Sequence, residues 1–463
     1  MRASREYPAM NSHGTCIGSD YIERLESRRL LSLTPIGTET TVPFPIEMSQ
    51  FDLAVAGDGS FIVVADPIEQ PGSPDVIAVR YAANGEQLGA PLRLDDRGFN
   101  VSVSMDADGD AVVVYQKGRD GVYVVRVSKA GVATAPQRVG TAPPAQSIYE
   151  TSVSMDDAGG FFVAWLQRNP QFYPVTVQMR AFDASGQPRG PQFVAASGDS
   201  TNVKYAIDVA ALPEGAGAVL VYSNGHDNGT SLAFQRLDTQ GIVGPVGFVA
   251  SIGPYTALGL EGDVAAHHDG SFVVGYGRLV KRFDAMGTLV GGPVLIGASI
   301  PTIPTDTLVD DVTVDAPPDG GFVAGFVLDR GGAVTTYAEH FSPTGLSTNG
   351  AVVVDTGGAR SPVIGAGGAD RAVIAYLQSD GGSGDVHVRR LTLADLAELR
   401  GGELFVTGTA GNDHIIIERV RDRLWVNVNG IVEGFNAADV QFLSISGLGG
   451  DDDVVDTSGL QCT

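Results

Sequence analysis

A motif recurs after 50 residues in this sequence: Ser102-Val-Ser-Met-Asp-Ala-Asp-Gly-Asp-Ala-Val-Val-Val-Tyr115 and Ser152-Val-Ser-Met-Asp-Asp-Ala-Gly-Gly-Phe-Phe-Val-Ala-Trp165. Each copy combines a short strand pattern, a Gly/Asp turn and a nearly continuous apolar strand. The turn glycine recurs at Gly59, Gly109, Gly159, Gly270 and Gly320. Aromatic residues end the second strand of six copies, at Tyr115, Trp165, Tyr222, Tyr276, Phe326 and Tyr376. A repeat of about 50 residues predicts an array of similar supersecondary units.

The second half of each unit has its own landmark, a strand that ends in a basic residue and is followed five positions later by a turn glycine. The pairs are Arg80 and Gly85, Arg126 and Gly131, Arg236 and Gly241, Arg282 and Gly287, and, with histidine for arginine, His340 and Gly345. The third unit departs from this spacing, because Arg180 is six residues from Gly186. Each unit is therefore predicted to form four antiparallel strands.

Seven units are present, beginning near Phe51, Asn100, Tyr149, Lys204, Gly259, Asp310 and Arg360. Radial repetition of such units protects the edges of their sheets. The sequence predicts an all-β fold: a seven-bladed β-propeller over residues 35–398, followed by a small β-roll or β-hairpin segment over residues 402–463. The seventh unit lacks a fourth-strand pattern, whereas an unassigned strand at residues 36–42 precedes the first unit. We expect residues 36–42 to pair into the seventh blade and close the ring.

Composition and charge exclude several classes of function. The chain has 61 glycines among 463 residues, and its 30 basic and 54 acidic residues give a formal net charge of −24. Such a charge repels nucleic acid and anionic membrane surfaces and favours cations. Cys16 and Cys462 lie at opposite ends, so a disulfide framework is excluded. Since no apolar run approaches the roughly 18 residues of a membrane span, we expect a monomer with no nucleic-acid partner and no span.

Two turns near the C-terminus share one spacing: Gly408-Thr-Ala-Gly-Asn-Asp-His-Ile415 and Gly447-Leu-Gly-Gly-Asp-Asp-Asp-Val454. Their pattern resembles the glycine-rich nonapeptide of hemolysin-type (RTX-like) calcium-binding proteins, which implies a parallel β-roll with Ca²⁺ as its cofactor. The resemblance implies that Asp413 and Asp452 are the carboxylate ligands. It also implies that Ile415 and Val454 face inward. The remaining residues of the expected metal site shape or line the turns: Gly408, Gly411, Asn412, Gly447, Gly450 and Asp451.

Two departures from the family pattern leave an alternative open. Thr409 and Leu448 replace the second glycine, and the copies are 39 residues apart rather than in tandem. Either the two turns stack on one edge of a β-roll and bind calcium, or they are Gly/Asp turns that bind no ion tightly. Because the chain stops at Thr463 soon after the second copy, we expect the array to continue beyond it.

The N-terminal region carries a second resemblance. Glu23-Arg-Leu-Glu-Ser-Arg-Arg-Leu-Leu-Ser32 is similar to the L-E-x-R-x-L-L-S signature near the start of large surface-exported proteins of planctomycete-type bacteria. The resemblance implies an export-associated, poorly ordered leader over residues 1–34 and an extracellular or cell-surface location. The alternative is a charged amphipathic leader that carries no export signal, since its apolar stretch is shorter than the hydrophobic region of a secretory signal peptide.

The sequence holds no familiar catalytic motif, neither G-x-S-x-G nor H-E-x-x-H nor G-x-x-x-x-G-K-S/T. His267 and His268 are interpreted as turn residues, because adjacent strand residues point to opposite faces and cannot easily share one metal. The segment from Asp106 to Asp110 is either part of a calcium loop or, as we expect, a solvated hairpin turn. The strand-end aromatics are expected to pack between blades rather than form a ligand cage.

These patterns support two hypotheses about function. The first is an exported, non-catalytic, calcium-binding surface protein whose propeller is a binding or adhesion module for a glycan or protein ligand. The second is a carbohydrate-active enzyme, a glycosidase or lyase, that uses the propeller channel. Carboxylates that converge in the channel would favour the enzyme, whereas small apolar lining residues would favour the binding module.

Overall fold

The computed structural model describes residues 31–462 apart from 45–47, 68–74, 97, 120, 144–145, 169–174, 199–201, 227–228, 253–260, 301–308, 330–333, 349, 369–370, 379–383, 396, 408–413, 429–430 and 447–452. This part of the chain forms nine four-stranded sheets and one 3-10 turn, Pro213–Gly215. Within it, no helix has the length and apolar character needed to cross a membrane. The prediction of an all-β fold is confirmed.

A first strand, β1 (Leu31–Thr41), precedes the repeats. The first sheet then contains β2 (Met48–Val55), β3 (Phe61–Pro67), β4 (Val76–Tyr81) and β5 (Leu92–Asp95). The second contains β6 (Gly98–Met105), β7 (Ala111–Lys117), β8 (Gly121–Val127) and β9 (Gln137–Thr141). The third contains β10 (Ser147–Met155), β11 (Phe161–Arg168), β12 (Val175–Phe182) and β13 (Phe193–Ser197). Strands are antiparallel and paired in chain order within each sheet.

The next sheets repeat this order. The fourth contains β14 (Asn202–Leu212), β15 (Gly217–His226), β16 (Gly229–Leu237) and β17 (Gly247–Ile252). The fifth contains β18 (Asp263–Ala266), β19 (Phe272–Tyr276), β20 (Leu279–Phe283) and β21 (Val294–Leu295). The sixth contains β22 (Val309–Asp315), β23 (Phe322–Asp329), β24 (Val334–Phe341) and β25 (Val352–Asp355). The seventh begins with β26 (Arg360–Gly367), β27 (Arg371–Gln378) and β28 (Asp385–Asp395).

The fourth strand of the seventh sheet comes from the start of the described chain. β1 pairs antiparallel with β28, with Leu33 opposite Leu393 and Thr41 opposite His387. Leu33 is buried. The pairing expected for residues 36–42 is therefore present, in a strand that starts earlier, at Leu31.

The first strands of successive sheets pack against one another in the order β2, β6, β10, β14, β18, β22 and β26, and β26 packs back on β2. The seven sheets thus form a closed, propeller-like ring. Sheets pack on both faces of each second strand, so Val112, Val113 and Val114 are all fully buried. This two-sided burial explains why the second strand of every unit is a continuous apolar run rather than an alternating one.

Two further sheets follow the ring. Their strands are β29 (Ala397–Arg400), β30 (Glu403–Thr407), β31 (His414–Val420), β32 (Arg423–Val428), β33 (Ile431–Asn436), β34 (Phe442–Ser446), β35 (Asp453–Thr457) and β36 (Gln461–Cys462). The sheet orders are β29-β30-β34-β36 and β33-β32-β31-β35. Leu404, Ile415 and Val426 belong to a single apolar core that both sheets contribute to. This segment starts at Ala397, slightly before the expected residue 402.

Candidate functional site

The inner surface of the ring is the first candidate site. The first strands of the seven sheets enclose a cavity of about 340 Å³, lined mostly by serine, alanine, valine and glycine residues. Six aspartates lie among them. Asp52, Asp208, Asp263 and Asp315 belong to first strands, and Asp106 and Asp157 belong to the turns that follow β6 and β10. The channel is therefore acidic and also lined by small side chains, so its composition alone does not choose between the two functions.

The four carboxylates of the first strands each tie their own sheet to the next one. Oδ2 of Asp52 accepts the backbone N–H of Val103 at 2.7 Å. The equivalent bonds join Asp208 Oδ2 to Val264 at 2.8 Å, Asp263 Oδ2 to Val314 at 2.6 Å and Asp315 Oδ2 to Ala366 at 2.7 Å. The innermost strand of a sheet has N–H groups on its channel side that its own ladder does not use. The carboxylate of the preceding sheet satisfies one of them.

In the second and third sheets, serine side chains accept the hydrogen bonds from the backbone of the next sheet. Ser102 and Ser104 accept from the backbone N–H groups of Val153 and Met155, at 3.3 and 3.0 Å. One sheet on, Ser152 and Ser154 accept from Val209 and Ala211, at 3.2 and 2.8 Å. The repeated Ser-Val-Ser of the opening motif is thus a pair of inter-sheet hydrogen-bond acceptors, a role that the repeat pattern did not predict. Several units have a side chain with an oxygen acceptor four residues before the turn, and this recurrence is the sequence feature that could have predicted the role.

Close backbone packing joins the seventh sheet to the first. A Cβ atom on Gly367 would overlap the carbonyl oxygen of Ala56, and one on Gly365 would lie 2.7 Å from Cγ2 of Val55. Glycine is required at both positions because the strands approach so closely. The ring is therefore joined by acceptor side chains at six junctions and by two glycines at the seventh.

Burial raises the pKa of three carboxyls in the channel wall, those of Asp52, Asp208 and Asp315. Desolvation in the channel wall raises the pKa of Asp52 to about 6 and that of Asp315 to about 6. Desolvation and the neighbouring carboxyl of Asp263 raise the pKa of Asp208 well above its usual value. Oδ1 of Asp208 accepts from Ser152 Oγ at 3.0 Å. Repulsion by the neighbouring carboxyl therefore favours the protonated form of Asp208.

The start of the innermost strand is distorted in most of the sheets. In six of the seven sheets the ladder between the first and second strands is interrupted there by an irregularity in register. Asn100, Ala206 and Ser361 have positive φ values of 55°, 47° and 51°. Glu150 Oε1 accepts the N–H of Ile207 at 2.9 Å, and burial raises the pKa of Glu150 to about 7. Left-handed non-glycine residues cost free energy and concentrate at functional sites, so this end of the channel is a candidate ligand-facing end.

The basic landmark of the repeat also joins neighbouring sheets. Arg80 donates to the carbonyl oxygen of Lys129 in the second sheet, and Arg390 of the seventh sheet donates to Ala83 of the first at 3.1 Å. Arg282 donates to Pro343 in the same way. Each accepting carbonyl lies two residues before the turn glycine of the receiving sheet. The landmark arginine of one sheet therefore contacts the turn that contains the landmark glycine of the next sheet, and not the turn of its own sheet.

The departure in the third unit has a structural counterpart. In the first two sheets the residue after the landmark arginine, Tyr81 or Val127, forms an isolated β-bridge. Phe182 forms this bridge in the third sheet, so the residue at the landmark position is Ala181 rather than an arginine. In the receiving turn of the fourth sheet, Gly241 has φ +152°, and a Cβ atom added to it would meet no described atom within 4 Å. This turn is also one residue shorter than the others, since its bridge joins Leu237 to Ile242, whereas the bridge of the next sheet joins Phe283 to Leu289.

The strand-end aromatics lie inside the ring wall. Tyr115, Trp165, Phe326 and Tyr376 are fully buried. The hydroxyl of Tyr115 donates to Asp95 Oδ2 of the preceding sheet at 2.7 Å. These residues pack within and between sheets, as expected, and form no cage open to a ligand.

Two sequence motifs that could have held a metal are hairpin turns. Oδ1 of Asp106 accepts the N–H groups of Gly109 and Asp110, each at 2.9 Å. The N–H of Gly270 donates to the carbonyl of His267 at 2.9 Å, so His267 and His268 begin a turn, as expected. Among the described residues, no group of three or more His, Cys, Asp or Glu side chains could hold a metal ion.

All eight residues predicted to form the calcium site lie outside the described residues: Gly408, Gly411, Asn412, Asp413, Gly447, Gly450, Asp451 and Asp452. The strands that follow them are described. β31 and β35 are parallel neighbours in which His414 is the register partner of Asp453 and Ile415 that of Val454. Ile415 is buried, as expected, but Val454 is 43% exposed. Val454 lies on the same face of the sheet as its register partner Ile415, but it is not covered, because β35 is the edge strand of this sheet in the described part of the chain.

No protein-family model matches the chain, and no curated protein matches it. Similar solved structures include a mutant of the α-L-arabinofuranosidase Arb93A from Fusarium graminearum with an iminosugar inhibitor, 14% identical with a TM-score of 0.44, covering 64% of this chain and 93% of that one. Another is AofleA from Arthrobotrys oligospora, 10% identical with a TM-score of 0.42, covering 68% and 89%. A third is the Aleuria aurantia lectin with α-methyl-L-fucoside, 10% identical with a TM-score of 0.41, covering 67% and 96%. These are similarities of fold.

Proposed function

We propose that the chain is a non-catalytic binding protein whose seven sheets are the blades of a seven-bladed β-propeller. The observation that best supports this is the role of the channel carboxylates. Asp52 and Asp315 use both oxygens for backbone N–H groups. Oxygens committed in this way stabilise the ring and are poorly placed to transfer protons to a substrate.

The ligand of the ring is proposed to bind at the end where the innermost strands begin. The connections from second to third strands and from fourth to first strands lie there, because neighbouring strands are antiparallel. Eight residues separate β3 from β4, but only three separate β7 from β8. By contrast, five residues separate β2 from β3, and also β6 from β7. Across the seven sheets the second-to-third connections range from two to eight residues, and the first-to-second connections from three to six. Larger length variation at one face of a rigid scaffold is typical of a binding face, and a glycan or protein at an extracellular surface is the proposed partner.

Calcium binding by Asp413 and Asp452 is the second part of the proposal. The parallel register of β31 and β35 supports it, because the residues that directly follow the two aspartates, His414 and Asp453, are direct partners. In a parallel β-roll, turns that enter neighbouring strands in register can supply ligands to one ion. Calcium would also offset part of the chain's negative charge.

Titration of Ca²⁺ into the full chain tests this part. We expect millimolar calcium to raise the unfolding temperature of the C-terminal sheets and to change the fluorescence of Trp425. Asp413→Ala and Asp452→Ala should each abolish the shift, whereas Asp439→Ala, an exposed aspartate of the same sheets, should not. An unfolding curve that calcium leaves unchanged would refute calcium binding.

We also propose an extracellular or cell-surface location, on the strength of the export signature in residues 23–32. Fractionation of cells that express the full chain tests it. A variant with Leu30, Leu31 and Ser32 replaced by alanine should remain inside the cell, and equal export of both chains would count against the signature.

A carbohydrate-active enzyme remains the second candidate, and the neighbouring carboxyls of Asp208 and Asp263 are what favours it. Two neighbouring carboxyls, one of which has a raised pKa, are the kind of groups that glycoside hydrolysis uses. One experiment distinguishes the enzyme from the binding protein. Turnover of aryl glycosides or polysaccharides that disappears in Asp208→Asn and Asp263→Asn, with the ring still folded, would replace the binding proposal with the enzyme.

A further inference from the structure

The outer face of the second C-terminal sheet carries a partly exposed tryptophan. In β32 the side chains of Leu424, Val426 and Val428 are fully buried in the core between the two sheets. Because strand residues alternate between faces, Trp425 and Asn427 lie on the opposite, outer face. Trp425 is one of only two tryptophans in the chain. The other, Trp165, is fully buried in the ring wall.

A cavity of about 250 Å³ lies beside this indole, lined by Ile416, Glu418, Trp425 and Asn427. The sheet register brings these four side chains together. Glu418 is the partner of Trp425 across β31 and β32, and Ile416 is the partner of Asn427. The site is therefore built on paired strands rather than on loops, so its side chains are held in fixed relative positions.

Gly434 makes room for the indole on its other side. It is the β33 partner of Trp425, and a Cβ atom added to it would lie 2.7 Å from Cζ3 of the indole. Arg423, on the same face two residues before Trp425, donates from Nη1 to the carbonyl of Gly434 at 3.1 Å. The tryptophan thus lies between a carboxylate on one neighbouring strand and a guanidinium group anchored to the other.

We propose that this surface binds one sugar ring of an uncharged glycan. The indole presents a flat apolar surface to the C–H groups of a sugar ring, and polar groups at its edge can hydrogen-bond the hydroxyls around that ring. Glu418 accepts hydrogen bonds, Arg423 donates them, and the amide of Asn427 does both. Glu418 and Arg423 have opposite charges, so the site has no net charge to attract an ion.

The volume of the cavity and the net charge of the chain restrict the class of ligand further. The cavity is smaller than the roughly 300–1,000 Å³ of sites for drug-sized ligands, so a single ring of a longer chain is what it accommodates. The formal net charge of −24 disfavours acidic polysaccharides. The site lies on the C-terminal sheets, so it is independent of the ligand proposed for the ring and of the calcium site.

Affinity electrophoresis of the full chain tests the proposal, with gels that contain a soluble β-glucan, a xylan or a galactomannan. We expect at least one of these uncharged polymers to retard the chain. Trp425→Ala should weaken that binding at least tenfold, Trp425→Phe should retain part of it, and Glu418→Gln should weaken it severalfold. Circular dichroism and thermal unfolding would establish that each variant is folded.

Phe442→Ala is the matched control, because Phe442 is a 45% exposed aromatic residue on the other C-terminal sheet. It should leave retardation unchanged. Tryptophan fluorescence gives an independent measurement, since a bound sugar can perturb Trp425 while Trp165 stays buried. Three results would each overturn the proposal: no retardation by any of the three polymers, retardation that Trp425→Ala leaves intact, or stronger retardation by carboxymethyl cellulose than by the uncharged polymers.

Discussion

The guanidinium group of Arg80 lies directly against the backbone of Gly131 in the next sheet, where it donates to the carbonyl oxygen of Lys129. Gly131 has φ +82°, and a Cβ atom there would overlap Nη1 of Arg80. One glycine thus meets two requirements, a left-handed turn and the space for a neighbouring side chain. The same relationship recurs between Arg390 and Gly85, so it belongs to the repeat rather than to one junction.

Gly131→Ala should therefore destabilise the ring. The positive φ alone costs about 1–2 kcal/mol, and displacement of Arg80 adds the loss of its hydrogen bond, about 1 kcal/mol. Denaturant unfolding of the full chain measures the change. Gly292→Ala, where nothing lies within 4 Å of the added Cβ, should have almost no effect. The double variant Arg80→Ala with Gly131→Ala should cost less than the sum of its parts, and strict additivity would contradict a contact between the two residues.

Tyr115→Phe should lower the free energy of unfolding by about 1 kcal/mol, because it removes the hydroxyl that donates to Asp95. Tyr81→Phe is the comparison. The hydroxyl of Tyr81 is buried and has no hydrogen-bond partner among the described residues, so its removal should be neutral or slightly stabilising. Equal effects of the two substitutions, measured by denaturant unfolding, would show that the Asp95 bond contributes nothing.

The stability of the ring should fall as pH rises through about 6. A carboxyl whose pKa is higher in the folded chain than in the unfolded chain stabilises the fold while it is protonated. For Asp52 and Asp315 that contribution is complete below about pH 4 and is lost as pH rises through the folded value of about 6. Unfolding temperatures recorded between pH 4 and pH 8, above the onset of general acid denaturation, measure this dependence.

Asp52→Asn should weaken that pH dependence. Asparagine can still accept the N–H of Val103 through its carbonyl oxygen, but its amide nitrogen cannot accept the N–H of Leu53 and it cannot ionise. We therefore expect the variant to be less stable than the original chain at pH 5 and to gain roughly 1 kcal/mol relative to it between pH 5 and pH 8. A variant that is less stable than the original chain by the same amount at both pH values would exclude titration of Asp52 as the cause.

Removal of residues 30–45 should lower the unfolding temperature of the whole ring, because β1 supplies the fourth strand of the seventh sheet. Leu33→Ala is a milder form of the same test and should cost about 2–5 kcal/mol, since Leu33 is fully buried. Deletion of residues 1–22 serves as the control and should leave the transition in place. An unchanged transition after deletion of residues 30–45 would mean that the ring does not need this strand.

Much of the ring was predictable from local pattern. The apolar run from Ala111 to Tyr115 and the turn at Gly109 specify a strand and its hairpin, and their recurrence specifies the unit. The unassigned strand before the first unit and the missing strand in the last one predicted the pairing of β1 with β28. Such inferences succeed because side-chain alternation and turn chemistry depend on neighbours in the chain.

The contacts between sheets were not predictable in this way. Asp52 finds its donor at Val103 and Arg80 its acceptor at Lys129, each about one repeat further along the chain. Nothing adjacent to Asp52 distinguishes an acceptor that bridges two sheets from a solvated aspartate. The exposed position of Val454 was missed for a related reason, because a motif specifies which face a residue occupies but not whether another strand covers it.

The sequence by itself determined the strands, the turns and the number of units, because these depend on residues within a few positions of one another. Only the tertiary structure decided what the charged and polar residues do. Packing of the fourth sheet on the fifth places Asp208 beside Asp263 and the parallel register places His414 beside Asp453, although each pair is separated by tens of residues. Electrostatic and hydrogen-bond partners are set by distance in space, and in this chain those distances follow from how the sheets pack.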